Sequence, residues 1–339
     1  MISKNKIQEY LFRVRDKVGL LEAPEYIYWV STHKCNLNCK HCMLNARRPL
    51  KDELSTDEVK KFIKDISQMG VKYFFISGGE PLLRDDLFEI IDYANRHKLK
   101  TGISTNGILI PIYKEKILSS KLTSIMISLD GLENTYKKIR GNNINYNQLL
   151  ESINFLKRNC KFAQISVCTT VNKYNFQELD KLKDLILSYD INLWRINITL
   201  PRGRTNKDMI LDNKELKQLI DFIKENSKQI KISLCSEAGY LGDSNKEVRG
   251  SSYFFCSCSW TSCALMANGD IMGCPIYENN SFVEGNIRDI SFKKIWDRGL
   301  CKFRNIPLNS TCSKCKYLPK CGGGCKVMRI LGKDCLVDD

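Results

Sequence analysis

Six runs of β-branched and aromatic residues recur along residues 27–200, each parted from the next by a segment with helical spacing. They are YIYWVST, VKYFFIS (71–77), KTGIST (100–105), TSIMISL (123–129), AQISVCTT (163–170) and LWRINITL (193–200). Each has strand length and strand composition. The intervening STDEVKKFIKDISQMG reads as a helix. Ser55 and Glu58 make a capping box, Val59, Phe62, Ile63 and Ile66 keep a 3.6-residue period, and Gly70 closes it. DDLFEIIDYANRH likewise puts Leu87, Ile90, Ile91 and Ala94 on one face. Strict strand–helix alternation demands an α/β fold, a parallel sheet with right-handed crossovers that is either open or curled into a barrel.

In a barrel of this kind the working residues sit where the strands end. The short polar motifs fall there: Cys35 after the first strand, SGGEP (77–81) after the second, STNG (104–107) after the third and SLDG (128–131) after the fourth. One such motif could arise by chance, but four in succession point at a shared site. From about Lys207 the texture changes. NKELKQLIDFIKEN and a short strand, QIKISLC, lead to GDSNKEVRGSS (242–252), read as a loop approaching a second, cysteine-dense domain.

The chain has 16 cysteines, which is the abnormal figure in its composition. The N-terminus lacks an apolar core and a small-residue cleavage site, so it does not read as a secretory signal. No stretch approaches the roughly 18 apolar residues of a membrane span. A cytoplasmic location follows as the expectation, and there thiols stay reduced, which makes metal or cluster ligation the default. The net charge of +15 comes from scattered basic residues rather than one dense block. It reads as a lysine-rich solvated surface, with no nucleic acid expected as a partner.

Cys35, Cys39 and Cys42 are spaced C-x3-C-x2-C on the loop after the first strand. Structural zinc takes four protein ligands, whereas three thiolates on a four-iron cubane leave one iron open to another molecule. With GGEP at the next strand end, this pattern resembles the radical S-adenosylmethionine (radical SAM) superfamily. The resemblance implies a partial (β/α)6 TIM-like barrel and a [4Fe–4S] cluster whose open iron is chelated by S-adenosylmethionine. It also assigns sites. Gly78, Gly79, Glu80 and Pro81 would meet the methionine amino group, the glycines allowing close backbone approach. Ser104, Asn106, Ser128 and Asp130 match ribose and carboxylate contacts, His41 matches the position beside adenine, and Arg195 with the PRGR stretch (201–204) would help bind the carboxylate.

At the C-terminus, Cys258, Gly269 and Cys274 form C-x10-G-x4-C, and Cys312, Cys315, Cys321, Cys325 and Cys335 form C-x2-C-x5-C-x3-C-x9-C. Taken alone, such pairs would also suit a zinc ribbon. Together they resemble the SPASM domain, a small cysteine-rich iron–sulfur domain holding one or two auxiliary cubanes. The resemblance groups Cys312, Cys315, Cys321 and Cys335 around an outer cluster, and Cys258, Cys274 and Cys325 around an inner one. Cys256 and Cys263 both compete for the inner cluster's fourth position. Cys263 is preferred, because ligands one residue apart constrain the backbone more. An inner cluster with an open iron is the further option. Cys160, Cys168, Cys235 and Cys301 lie in apolar segments and are expected as buried structural thiols.

The implied division is an N-terminal helical segment (1–26), a radical SAM barrel (27–205), a bridging segment (206–255) and a SPASM domain (256–339). The implied function is reductive cleavage of S-adenosylmethionine and hydrogen abstraction from a peptide or small-protein substrate, leading to a crosslink or other oxidative change. Electrons would come from a reductant protein such as flavodoxin or ferredoxin. With 26 residues before the first strand, leader recognition would fall to another surface or to a separate leader-binding protein. Alternatives are a tetrapyrrole-modifying enzyme of haem synthesis, a sulfatase-maturase-like oxidase, and a non-catalytic electron-transfer protein. Pro275, where such maturases carry a carboxylate, weighs against the second.

Overall fold

Along Tyr73–Ser77, Ser124–Ser128 and Leu193–Ile198 burial alternates residue by residue, so each of these runs closes one side on a core and turns the other inward. The computed structural model describes residues 22–142, 144–191, 193–332 and 335. The expected helix within 1–26 lies almost wholly outside them. Strands β1 (Tyr26–Val30), β2 (Tyr73–Ser77), β3 (Lys100–Thr105), β4 (Ser124–Ser128), β5 (Gln164–Val171), β6 (Leu193–Ile198) and β7 (Lys231–Leu234) lie side by side in chain order, all parallel. The connecting helices are α1 (Thr56–Gln68), α2 (Leu87–Arg96), α3 (Lys114–Ser119), α4 (Glu133–Arg140), α5 (Tyr146–Asn159), α6 (Leu179–Ser188) and α7 (Asn213–Asn226). The capping box at Ser55 and Glu58 forms as the sequence predicts, and Val59, Phe62, Ile63 and Ile66 are the buried face of α1.

A period of two is plain on β2, β4 and β6. On β6, Trp194, Ile196 and Ile198 are buried beneath the helices, while Leu193, Arg195 and Asn197 are half-buried on the other side. Tyr28 and Phe75 stack across β1 and β2 on that same inner side, with ring centroids 5.6 Å apart. The inner surface is therefore an incompletely filled barrel lumen.

Two features depart from the sequence expectation. GDSNKEVRGSS is not a loop throughout, since Ser244–Arg249 form a short helix, α8. Asn245, fully buried, donates to the carbonyls of Ser251 and Tyr253, and Arg249 donates to those of Leu234, Cys235 and Gly239. Polar side chains satisfy the backbone here, a pattern that hydropathy reads as solvent-facing.

The sheet also continues past β1. Strand β8 (Ser262–Leu265) pairs in parallel with β1, and β9 (Asp270–Met272) and β10 (Val283–Asn286) extend it as antiparallel neighbours. The cysteine-dense end thus shares one ten-stranded sheet with the barrel. Among the described residues no helix is long and apolar enough to cross a membrane.

An ion pair ties α1 to this added hairpin. Arg288 Nε and Nη2 donate to Glu58 at 2.6 and 3.1 Å, and Nη1 donates to the Asp52 and Asn268 carbonyls. The Arg288 hydrogen bonds hold the Glu58 carboxyl at about 2. A depressed carboxyl adds stability that is present above its usual range and is lost as pH falls through that value. The pair is about one-third exposed, so its worth is on the order of 0.5 kcal/mol. Arg288→Ala is expected to lower the urea midpoint slightly at pH 7 and not at pH 2. Equal losses at both pH values would refute this reading.

Candidate active site

The loop after β1 is closed by one carboxylate. Glu53 accepts from Thr32 Oγ1 (2.8 Å), the His33 amide (2.7 Å) and the Leu50 amide (3.0 Å), joining both ends of the segment that carries the first three cysteines. Within it the Cys35 amide donates to the Arg47 carbonyl, and the Cys42 amide to the Cys39 carbonyl. Cys35, Cys39 and Cys42 line a single cleft with His41, Gly78, Gly79, Ser104, Asn106 and Ser128. No Asp or Glu lines it, so the cleft offers three thiols and no carboxylate ligand. Burial pushes the Cys35 thiol up to about 11 and raises Cys39, against the pull of nearby Arg140. Such thiols shed their protons when iron binds.

The glycines of SGGEP line the cleft and also pack against the protein's own backbone. A Cβ at Gly79 would come 2.2 Å from the Lys34 carbonyl oxygen, and one at Gly78 (φ +135°) 2.6 Å from that of Thr32. The Gly79 amide donates to the Thr32 carbonyl and the Glu80 amide to that of Lys34. The close approach is to the cysteine loop itself. Glu80 does not line the cleft. Its fully buried carboxylate accepts from Thr105 Oγ1 (2.7 Å), the Asn106 amide (2.8 Å) and the Leu82 amide (3.1 Å), and so clamps the ends of β2 and β3 together. Pro81 starts a buried 3-10 turn behind it.

Asp130 is also withdrawn from the cleft. It is fully buried, with Oδ2 2.5 Å from Arg140 Nε and 3.2 Å from His41 Nε2, while Oδ1 accepts from the Thr170 amide. Burial lowers His41 to about 4, so its ring is neutral at pH 7. With Nε2–H turned to Asp130, Nδ1 is a buried acceptor with no protein partner. That orphaned lone pair, on a cleft with Ser104, Asn106 and Ser128, fits an amino-substituted heterocycle with a hydroxylated appendage. Arg195 lies outside the cleft. It stands on the luminal side of β6, where Nε donates to Asn197 and its field acts on Cys168 and Tyr28.

Arg140 was not legible as a site residue, while Arg204 belongs to the PRGR stretch and is found beside the cysteine loop. Arg140, at the end of α4, brings Nη1 to 3.9 Å from Cys39 Sγ. Arg204 donates to the Cys39 and Ala46 carbonyls, and its amide to that of Cys42. Only the fold brings residues this far apart together. Arg202 of the same PRGR stretch donates to the Ile276 and Glu278 carbonyls, joining the loop to the chain beyond Cys274.

At the C-terminal end the structure corrects one preference. The Cys256 and Cys258 thiols act on each other, Cys274 acts on Cys258, and Cys325 interacts with both of the first two. Cys263 is not among them. It sits on β8 opposite Ile27 and is fully buried in the apolar core, where burial alone raises its thiol. A strand residue facing the core cannot also reach a group beyond the strand's start. Cys312 and Cys335 both act on the Cys321 thiol, and Cys315 Sγ accepts from the Tyr317 amide. Gly322, Gly323 and Gly324 all take positive φ (62°, 85° and 63°), the tight turn that only glycine adopts three times running. Of the thiols expected to be buried, Cys160, Cys168 and Cys235 are, whereas Cys301 is exposed. It opens a short helix of four residues and turns outward.

A parallel α/β barrel with a three-thiol loop at its first strand end defines an iron–sulfur enzyme scaffold. The family model for the radical SAM superfamily matches residues 29–186, and that for the SPASM iron–sulfur cluster-binding domain matches residues 256–316. The chain belongs to the radical SAM superfamily and carries a C-terminal SPASM domain. It is 28% identical over 325 residues to the mycofactocin maturase MftC of Mycolicibacterium smegmatis, covering 91% of this chain and 80% of that protein. It is also 28% identical over 328 residues to an AdoMet-dependent heme synthase of Methanosarcina barkeri, covering 90% and 92%. The Streptococcus suis protein SuiB, solved with S-adenosylmethionine bound, shares the fold at a TM-score of 0.76 and 20% identity, over 99% of this chain and 82% of that one. The chain is a radical SAM enzyme that uses [4Fe–4S] clusters and S-adenosylmethionine.

Proposed function

We propose that the chain modifies a peptide oxidatively, and that its parts divide as follows. Cys35, Cys39 and Cys42 would hold the cluster and leave one iron open to S-adenosylmethionine, and the two together would supply reductive cleavage of the sulfonium and hydrogen abstraction. His41 Nδ1, a buried acceptor without a protein partner, would take the adenine amino group, and Ser104, Asn106 and Ser128 would bind the ribose and methionine. Glu80 and Asp130 act from behind, fixing the strand ends and the His41 ring. Cys256, Cys258, Cys274 and Cys325 hold an inner auxiliary cluster, and Cys312, Cys315, Cys321 and Cys335 an outer one. Residues 27–205 form the catalytic barrel and 256–339 the auxiliary domain, joined by 206–255.

The observation that carries the oxidative reading is the place of the inner cysteines. Cys258 and Cys274 both act on Tyr28, whose ring stands in the barrel lumen. An electron acceptor held there lies beside the cavity where a substrate radical would form. The match to a maturase and the fold of SuiB, which has also been solved with a precursor peptide, support a peptide as the substrate. The match to a haem synthase supports tetrapyrroles as the second reading, and Arg195 in the lumen is a cation suited to a propionate.

The test is anaerobic incubation of reconstituted protein with S-adenosylmethionine and dithionite, with either peptides encoded beside its gene or iron tetrapyrroles added. The expected result is 5′-deoxyadenosine together with a peptide that has lost two hydrogens. Deoxyadenosine coupled only to decarboxylation of a tetrapyrrole would replace the peptide reading with the second one.

A further inference from the structure

The ammonium of Lys326 is buried with nothing to accept its protons. The residue is 8% exposed, and Nζ has no hydrogen-bond partner. Among the described residues it is the one lysine in that state. Lys183, the other buried lysine, donates to Asn226 at 2.9 Å. Trp260 and Phe303 flank Lys326 Nζ, with ring centroids 5.7 and 5.3 Å away. Ring faces attract a cation but do not satisfy three N–H donors. Arg304 and Arg329 add repulsion, and the groups that favour the charge are the Cys256 and Cys258 thiols. Lys326 also follows Cys325 directly, at the start of the short helix Lys326–Ile330 that Cys325 caps. By contrast Lys314, Lys316 and Lys320, beside the outer cysteines, are exposed, where water screens them.

We propose that Lys326 is the counter-cation of the inner auxiliary cluster and raises its reduction potential. The inference rests on the ligand set Cys256, Cys258, Cys274 and Cys325 proposed above, and it deepens the oxidative reading. A buried cation with no counter-charge is costly, so a native fold that keeps one has an anion for it. Iron–sulfur groups bound by thiolates carry net negative charge, which is what this ammonium lacks. Net charge and hydrogen bonds to sulfur set the potential of such a group. A fixed cation in a water-poor site stabilises the reduced form more than the oxidised one, because its field acts on one more electron. Lys326 thereby favours the transfer of one electron from the substrate radical of the proposed reaction. No proton passes to Lys326, which keeps its charge throughout.

The test is a redox titration of reconstituted full-length protein followed by EPR, with Lys326→Met, Lys326→Gln and Lys326→Arg beside the wild type. Cys256→Ala marks the inner signal as the one it removes. In Lys326→Met and Lys326→Gln the inner midpoint is expected to fall by at least about 59 mV, a tenfold change in a one-electron equilibrium. Lys326→Arg, which keeps the charge, should hold the midpoint close to that of the wild type. The signals of the other clusters should not move in any of the three. A role in packing alone would leave the potential where it is, because packing carries no charge.

Full iron with an unmoved inner midpoint in both neutral variants would overturn the proposal, as would an equal fall in Lys326→Arg. If only one neutral variant keeps its iron, that one decides. Loss of the inner iron from both neutral variants but not from Lys326→Arg would support the counter-cation, since charge is then what the cluster needs. Loss from all three would refute it, because shape and not charge would be the requirement. Full iron and an unchanged set of signals in Cys256→Ala would instead strike the ligand set.

Discussion

Gly79→Ala is expected to strip most of the iron from the N-terminal site and to lower deoxyadenosine formation at least about a hundredfold, as ångström-scale misplacement of reacting groups does. The new Cβ would meet the Lys34 carbonyl oxygen at 2.2 Å and the His33 carbonyl carbon at 3.1 Å. Both are backbone atoms and cannot swing aside, so the segment leading into Cys35 must move. Gly203→Ala should act similarly from the other side, because its Cβ would lie 2.1 Å from the Cys42 carbonyl oxygen at a φ of +59°. Gly250→Ala is the control. Its φ is +69° but nothing lies within 4 Å, so it should cost about 1 kcal/mol of stability and leave the iron untouched. Iron and deoxyadenosine assays of the three variants separate crowding from backbone strain. A Gly79→Ala protein with full iron and normal turnover would show that the loop has slack the geometry does not reveal.

Cys256→Ala should remove one auxiliary cluster, about four irons per chain, while Cys263→Ala should remove none. The alanine at 263 trades a buried sulfur for a small void and should show only as a loss of about 1–2 kcal/mol in stability. Iron analysis with EPR of the reduced proteins distinguishes the two cleanly. The opposite pattern, with Cys263 required and Cys256 dispensable, would mean that β8 leaves the sheet when the inner cluster assembles.

Much of the molecule was written in local pattern. The capping box at Ser55 and Glu58, the buried face of α1 and the parallel order of the first six strands follow from spacing and side-chain type, which depend on near neighbours alone. The three-thiol loop was equally legible, because Cys35, Cys39 and Cys42 lie within one turn of chain and need no distant partner to be recognised. The SPASM spacing was visible for the same reason.

Where the strand-end side chains sit depends on distant segments. Glu80 and Asp130 are polar residues at strand ends and read as cofactor contacts, yet each is fully buried on partners 10 to 40 residues away: Thr105, Asn106, Arg140 and Thr170. Cys263 and Cys256 are equal candidates in a string of letters. Only the pairing of β8 with β1 turns the first toward Ile27 and leaves the second with Cys258. Arg140 carried no signal at all, since a cation beside a thiol looks like any surface cation until the chain folds.

The amino-acid sequence by itself thus determined the strands, the helices and the three-cysteine loop, because periodicity, capping and ligand spacing are short-range properties. Tertiary structure alone decided which carboxylates brace and which groups face the cleft, and which cysteine joins the inner set. Those outcomes depend on contacts between distant segments, where burial converts a polar side chain from a solvent-facing group into one that must find its partner inside.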